Sequence, residues 1–217
     1  MNYEENLKID FATNSVIKMV QLKALKTHVA YLKENSPFYQ NILKDYSIDT
    51  LSDLDKLPTS SKKDIQENNA AFFAVQKKEI VEIVTTSGTT ATPIKIALTN
   101  SDIERLAYNE ARGLTIAGII KSDTIQLTTT LDKRFMAGMA YYLGLNKIGA
   151  TTIRTGHSSS IFQEQNIQDF KPDALIAVPS FIFTLIEYAK KNGIDYKNSS
   201  IKKAVCIGES LRNSDFS

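Results

Sequence analysis

The sequence predicts an α/β fold: a mainly parallel sheet flanked by helices, preceded by an N-terminal helical arm. Three observations lead there. From about residue 80, short β-branched runs alternate with amphipathic stretches long enough to be helices. Gly149 and Gly193 stand where two of those stretches stop, the position at which a helix closes through a left-handed residue. Residues 1–79 lack the alternation and carry a helical apolar period instead. The expected division is therefore an arm over 1–79 and an α/β region over 80–217.

In the arm, Val16, Met19, Val20, Leu22, Leu25, Val29 and Leu32 recur mostly at three- and four-residue steps, the stripe of an amphipathic helix. Asn35-Ser36-Pro37 ends it, because the residue before proline is driven out of helical geometry. Phe38 to Leu43 predicts a short second helix, and 52–58 a turn-rich connection. Thr59 and Ser60 are the expected caps of a third helix that begins Lys62-Lys63-Asp64.

Beyond the arm, strands are expected at 79–85 and 94–98, with a Ser/Thr/Gly-rich loop between them. Ser101-Asp102-Ile103-Glu104 reads as a capping box opening a helix to about Ile119. Then follow strand 124–129, helix 135–148, strand 150–154, helix 160–170, strand 174–178, helix 180–192 and strand 202–207. Strands joined through helices of this length form βαβ units, so the sheet is parallel and its ligand end is the carboxyl end of the strands.

Composition narrows the function. The chain has 217 residues, 42% hydrophobic and 23% charged, too apolar for disorder and too charged for a membrane interior. Twenty-six Lys and Arg against twenty-four Asp and Glu leave a net charge of +2, which gives nucleic acid no electrostatic purchase. No apolar run is long enough to span a bilayer. Met1 to Asn6 shows no basic region followed by an apolar stretch, so a cytoplasmic protein is expected. Cys206 is the only cysteine, which excludes an internal disulfide. His28 and His157 lie far apart in sequence, and no metal site is expected.

The chemistry concentrates in Thr85-Thr86-Ser87-Gly88-Thr89-Thr90, directly after a strand. Hydroxyls donate hydrogen bonds, and glycine lets amides turn inward around an anion, the arrangement a polyphosphate needs. A plain hydrophilic hairpin is the competing reading. The Walker loop is excluded, since it requires Gly-Lys-Ser/Thr and no Gly-Lys pair occurs.

Thr-Ser-Gly-Thr-Thr-x-x-Pro after a strand resembles the phosphate loop of the adenylate-forming enzymes, the acyl-CoA synthetase superfamily. The likeness to its phenylacetate–CoA ligase branch runs along the chain. It takes in His28-Val29-Ala30-Tyr31, Asn35-Ser36-Pro37-Phe38-Tyr39, Leu54 to Thr59 and Lys63-Asp64. It continues through Ile167 to Asp173, Val178-Pro179-Ser180 and Ile207-Gly208-Glu209-Ser210-Leu211. The resemblance implies activation of a carboxylic acid, an aryl acid by branch, with ATP and Mg²⁺, then transfer to coenzyme A. By position, Thr86, Ser87, Gly88, Thr89 and Thr90 would hold the triphosphate and stabilise the departing pyrophosphate. Gly208, Glu209 and Ser210 would border the adenine. Phe135, Gly138 and Tyr142 would line the acyl pocket, with core packing as the alternative reading of the two aromatics.

Two departures from the family pattern stand out. Ala91-Thr92-Pro93 replaces the usual Gly-Lys-Pro, and Ser210 stands where proline is usual. The family's later catalytic segments and C-terminal lid have no counterpart, so the chain is expected to be an incomplete N-terminal domain. A homodimer or a complementing C-terminal part is its expected partner. An acyl-protein synthetase and a catalytically incomplete binding module are the alternative functions. Among individual residues, Cys206 is expected to be a buried apolar thiol and His28 to lie on the surface or pack in the arm. His157 and Arg134 lie on loops that could meet a ligand. Lys95, Lys190-Lys191 and Lys202-Lys203 are expected on solvated faces.

Overall fold

The computed structural model describes Ile9 and residues 11–86, 93–132 and 134–210. The chain forms two compact units, Met1–Asn100 and Ser101–Ser217. The boundary leaves the two strands around the hydroxyl-rich loop in the first unit.

The first unit opens with α1 (Asn14–Asn35) and α2 (Pro37–Ile42), separated by the Ser36-Pro37 break the sequence predicts. Val29, Leu43 and Ile48 form its small core, supported by Leu22, Leu25, Leu32 and Leu57. The predicted stripe is covered only from Leu22 onward; Met19 is 65% exposed. Ser36 is fully buried and donates to the Ala71 carbonyl at 3.0 Å, while the Phe38 ring stacks on Phe72 at 3.9 Å. Residues expected as a turn-rich connection instead form a 3-10 helix, Leu51–Lys56. Asp53 explains it, since its carboxylate accepts from the Thr50 and Asp49 amides and from Lys56. Helix α3 (Lys62–Asn68) is capped by Ser61, not by Thr59 or Ser60, because Ser61 and Asp64 satisfy each other's amides in a capping box. Strands β1 (Glu82–Thr85) and β2 (Lys95–Leu98) pair antiparallel, with Thr85 opposite Lys95.

Helix α4 (Asn100–Ile116) starts one residue before its expected capping box, which places Ser101 inside the first turn. In the second unit it is followed by β3 (Thr124–Leu127), α5 (Met136–Ile148), β4 (Thr151–Arg154), α6 (Ser160–Phe170), β5 (Ala174–Ala177), α7 (Pro179–Lys191) and β6 (Lys203–Cys206). The four strands are parallel in the order β4-β3-β5-β6. Period-two alternation assigns the faces. Ile125, Leu127, Ala174 and Ile176 pack with Leu114 of α4 and Leu145 of α5. Leu175 and Ala177 pack with Leu185 of α7, and Gln126 meets Gln163 of α6. Helices thus cover both faces, as the sequence predicts. At the close of α5, Gly149 takes φ +84° and its amide donates to Leu145 and Asn146. Among the described residues no helix is long and apolar enough to cross a membrane.

Candidate active site

Ser87, Gly88, Thr89 and Thr90, the centre of the expected phosphate loop, lie outside the described residues, as do Ala91 and Thr92. The flanks are described. Thr86 extends the β1–β2 ladder by one rung, its amide donating to the Ile94 carbonyl at 3.1 Å. Its hydroxyl oxygen accepts the Ile94 amide, also at 3.1 Å. On the other flank, Asn69 holds Lys95 by both backbone groups, accepting its amide and donating to its carbonyl, each at 2.9 Å. Both stems of the loop are therefore tied down by backbone bonds, and the Lys95 residue itself is exposed.

In the second unit, the loops that leave the carboxyl ends of the parallel strands carry the remaining candidates. Beyond β6, the Ile207 amide still donates to Ala177, and the chain then turns at Gly208 with φ +74°. A side chain there would be strained by the backbone alone. Glu209 follows with its carboxylate on the first turn of α7. One oxygen accepts the Ser180 amide at 2.9 Å and the other accepts the Ser180 hydroxyl at 2.8 Å. A carboxylate suits a helix N-terminus, where unpaired amides and the macrodipole both favour negative charge. Two segments that the sequence reading singled out separately, Val178-Pro179-Ser180 and Gly208-Glu209-Ser210, are joined by this pair. Ser210 is exposed.

The three acyl-pocket candidates sit at consecutive turns of α5. Phe135 is its N-cap residue and 46% exposed. Gly138 is buried, and a Cβ at this position would fall on the Thr130 carbonyl, whose carbon would be 2.8 Å away. Its missing side chain therefore admits the backbone of the loop after β3. Tyr142 is half-buried against the core, and the Arg154 guanidinium lies over its ring, 4.9 Å from the centroid. In the β3–α5 loop, Thr130 donates to Asp132, and Arg134 takes a left-handed φ of +62°. His157 is exposed on the loop after β4, its ring tilted against Phe181 at 6.4 Å.

Two expectations are corrected here. Cys206 is exposed: among the described residues β6 pairs with β5 alone, and α7 packs over β5. Lys203 is not on a solvated face. Its ammonium donates to the Gly118 carbonyl at 2.8 Å and to Asp123 at 2.7 Å, and Asp123 is only 7% exposed. Burial alone would raise the Asp123 carboxyl, but the Lys203 ammonium and the Ile120 amide outweigh it and hold the group below its usual range.

Sequence reasoning missed the Arg154–Tyr142 stack and the Glu209–Ser180 pair, since both join residues far apart in the chain. It also missed Gln126 and Gln163, both fully buried, with the Gln126 amide donating to Gln163 Oε1 at 2.7 Å. One signal was visible: a glutamine inside the apolar run Ile125-Gln126-Leu127 requires a buried partner.

Comparison with known proteins agrees with this architecture. The sequence profile of the AMP-binding enzyme family matches residues 13–216. The phenylacetate-coenzyme A ligase of Escherichia coli (strain K12) is 30% identical over 204 residues, covering 91% of this chain and 46% of the relative. That of Aromatoleum evansii is 29% identical over 203 residues, with 91% and 46% covered. The chain thus spans about half the length of the curated relatives it matches. Among solved structures, 2-hydroxyisobutyryl-CoA ligase in complex with 2-HIB-AMP and CoA superposes with a TM-score of 0.84 at 23% identity, covering 91% of this chain and 44% of that one. A long-chain-fatty-acid-CoA ligase from Archaeoglobus fulgidus gives 0.51 at 19% identity, with 75% and 34% covered. These structures share the fold. From the profile match along nearly its whole length, the chain belongs to the AMP-binding enzyme family.

Proposed function

We propose that this chain is the N-terminal portion of an AMP-forming acid–thiol ligase. In the first step a carboxylate attacks the α-phosphorus of ATP, forming an acyl-adenylate and releasing pyrophosphate. In the second, a thiol, that of coenzyme A, displaces AMP and yields the thioester. The observation that carries this reading is continuous similarity to phenylacetate-coenzyme A ligases along about nine-tenths of the chain, 91% for the Escherichia coli relative.

Roles are proposed residue by residue. Thr86, Ser87, Gly88, Thr89 and Thr90 hold the triphosphate through hydroxyls and amides. Gly208, Glu209 and Ser210 border the adenine, with Glu209 holding the turn in shape through Ser180. Phe135 and Tyr142 line the acid pocket, and Gly138 shapes it by admitting the loop after β3. Magnesium would arrive with the nucleotide, as the counterion of its triphosphate. A cytoplasmic location suits an enzyme that uses ATP and coenzyme A.

The test is exchange of labelled pyrophosphate into ATP by the full-length protein that carries this chain, with aryl and aliphatic acids supplied in turn. Label should enter ATP only when an acid is present, and thioester should form only with coenzyme A. Failure of every acid to support exchange refutes the reading.

A further inference from the structure

We infer that Arg154 is a specificity residue, a fixed cation that selects an acid carrying a second negative charge away from the carboxylate that is activated. The inference rests on the ligase reading above and names the class of acid.

Arg154 ends β4, at the carboxyl end of a parallel sheet, the end at which such sheets bind ligands. Its guanidinium carbon lies over the Tyr142 ring, 4.9 Å from the centroid. That contact holds the positive charge beside the ring, and none of the described residues forms a hydrogen bond with its N–H groups, which can pair with a carboxylate. Tyr142 is itself fixed, because its ring packs against the cluster built on Leu127 and Leu145.

The backbone beyond Arg154 is fixed as well. The amides of Thr155 and Gly156 both donate to the Leu127 carbonyl at 3.1 Å. The Gly156 carbonyl accepts from Gln163 Nε2 at 2.8 Å, and Gln163 accepts in turn from Gln126 in the middle of the sheet. The two fully buried glutamines bond to each other and to the backbone through their amide N–H groups, while Gln126 Oε1 has no partner among the described residues. Their bonds transmit the rigidity of the sheet to the loop that follows Arg154.

Such a cation can answer a carboxylate in the same protein. Among the described residues Arg105 pairs with Asp102 and Lys203 with Asp123, whereas no carboxylate lies within ion-pair range of Arg154. The residue is exposed, so a ligand can reach it. Tyr142 beside it supplies an aromatic wall of the proposed acid pocket. An aromatic wall joined to an unanswered guanidinium fits a molecule with an apolar body and a planar anion at its far end, that is, a dicarboxylic acid.

The experiment compares the full-length ligase with Arg154→Gln and Arg154→Lys, using acid pairs of one skeleton: benzoate against terephthalate, and hexanoate against adipate. The readout is the ratio of kcat/KM for diacid over monoacid, with KM for coenzyme A measured alongside. The wild-type ratio should favour the diacid. Arg154→Gln should lower it about 10- to 100-fold, the worth of a charge-assisted hydrogen bond, and Arg154→Lys should keep part of it. Thermal melts confirm that both variants fold, and the lysine variant keeps the test open should the glutamine variant fail to. A ratio equal in wild type and variants overturns the inference and leaves the ligase reading standing. So does a loss that falls on KM for coenzyme A, which would assign Arg154 to a phosphate instead. Absence of exchange with every acid overturns the ligase reading, and this inference with it.

Discussion

Replacing Gly138 by alanine tests the close approach of helix α5 to the loop after β3. The added methyl would land on the Thr130 carbonyl, 2.8 Å from its carbon and 3.4 Å from the Leu131 Cα. Carbon atoms rest at about 3.5–4.0 Å, so the carbonyl carbon must retreat by roughly 0.7 Å or more. That atom is backbone, in a loop anchored where Thr128 donates to Ile176 through both its amide and its hydroxyl. Overpacking of this kind costs about 3 kcal/mol, and the better helix propensity of alanine returns about 1. The net loss is about 2 kcal/mol, which lowers a urea midpoint by about 1 M. Gly113 in α4 is the internal control, because nothing lies within 4 Å of its missing Cβ. Gly113→Ala should gain up to about 1 kcal/mol from propensity alone. Equilibrium urea unfolding followed by far-UV circular dichroism measures both. A Gly138→Ala midpoint equal to wild type, or a Gly113→Ala midpoint that falls as far, refutes the packing argument.

Glu209→Ala removes the carboxylate from the first turn of α7 and should cost about 1 kcal/mol, with Glu209→Gln losing less; thermal melts of the three proteins rank them. Asp123→Asn breaks the pair with Lys203 and should cost about 1.5–3 kcal/mol at pH 7. Because the folded-state carboxyl of Asp123 is depressed, its contribution is present above the ordinary carboxylate range and fades as pH falls through it, so the deficit of the variant should shrink in acid. Glu110 behaves oppositely, since burial raises its carboxyl and the ionised form burdens the fold at neutral pH. Glu110→Gln should therefore be more stable than wild type at pH 7, and the two should converge as pH falls, in denaturation curves taken from pH 7 to pH 4.

Much of the architecture was legible because local chemistry decided it. Helix α6 spans 160–170 as read, with Ser159 capping the Phe162 amide. Gly149 closes α5 in the left-handed region, and Ser36-Pro37 separates α1 from α2. Strand ends were read one to three residues too long, since apolar and β-branched residues such as Ile80, Val81 and Thr128 continue past the ladder. Cys206 was misread for a different reason. An apolar run signals a strand, but whether both of its faces are covered depends on its place in the sheet, and among the described residues β6 is the last strand of the order. Lys203 shows the same gap, because its partner Asp123 is eighty positions away. The turn at Gly208 and the helix bearing Phe135, Gly138 and Tyr142 were legible as local structure. The engagement of Glu209 by Ser180 and the cover of Tyr142 by Arg154 arise only once strands and helices assemble.

The anchoring of Glu209 has a consequence for how a purine would be read. Both of its oxygens already face the amino end of α7, so its negative charge is answered within the protein. On the adenine-bordering role proposed for this turn, a base at Gly208 would meet peptide N–H and C=O groups, and discrimination of adenine from guanine would fall to main-chain geometry. A mutation that frees Glu209 would expose an anion beside the proposed nucleotide position and slacken the start of α7 in one stroke.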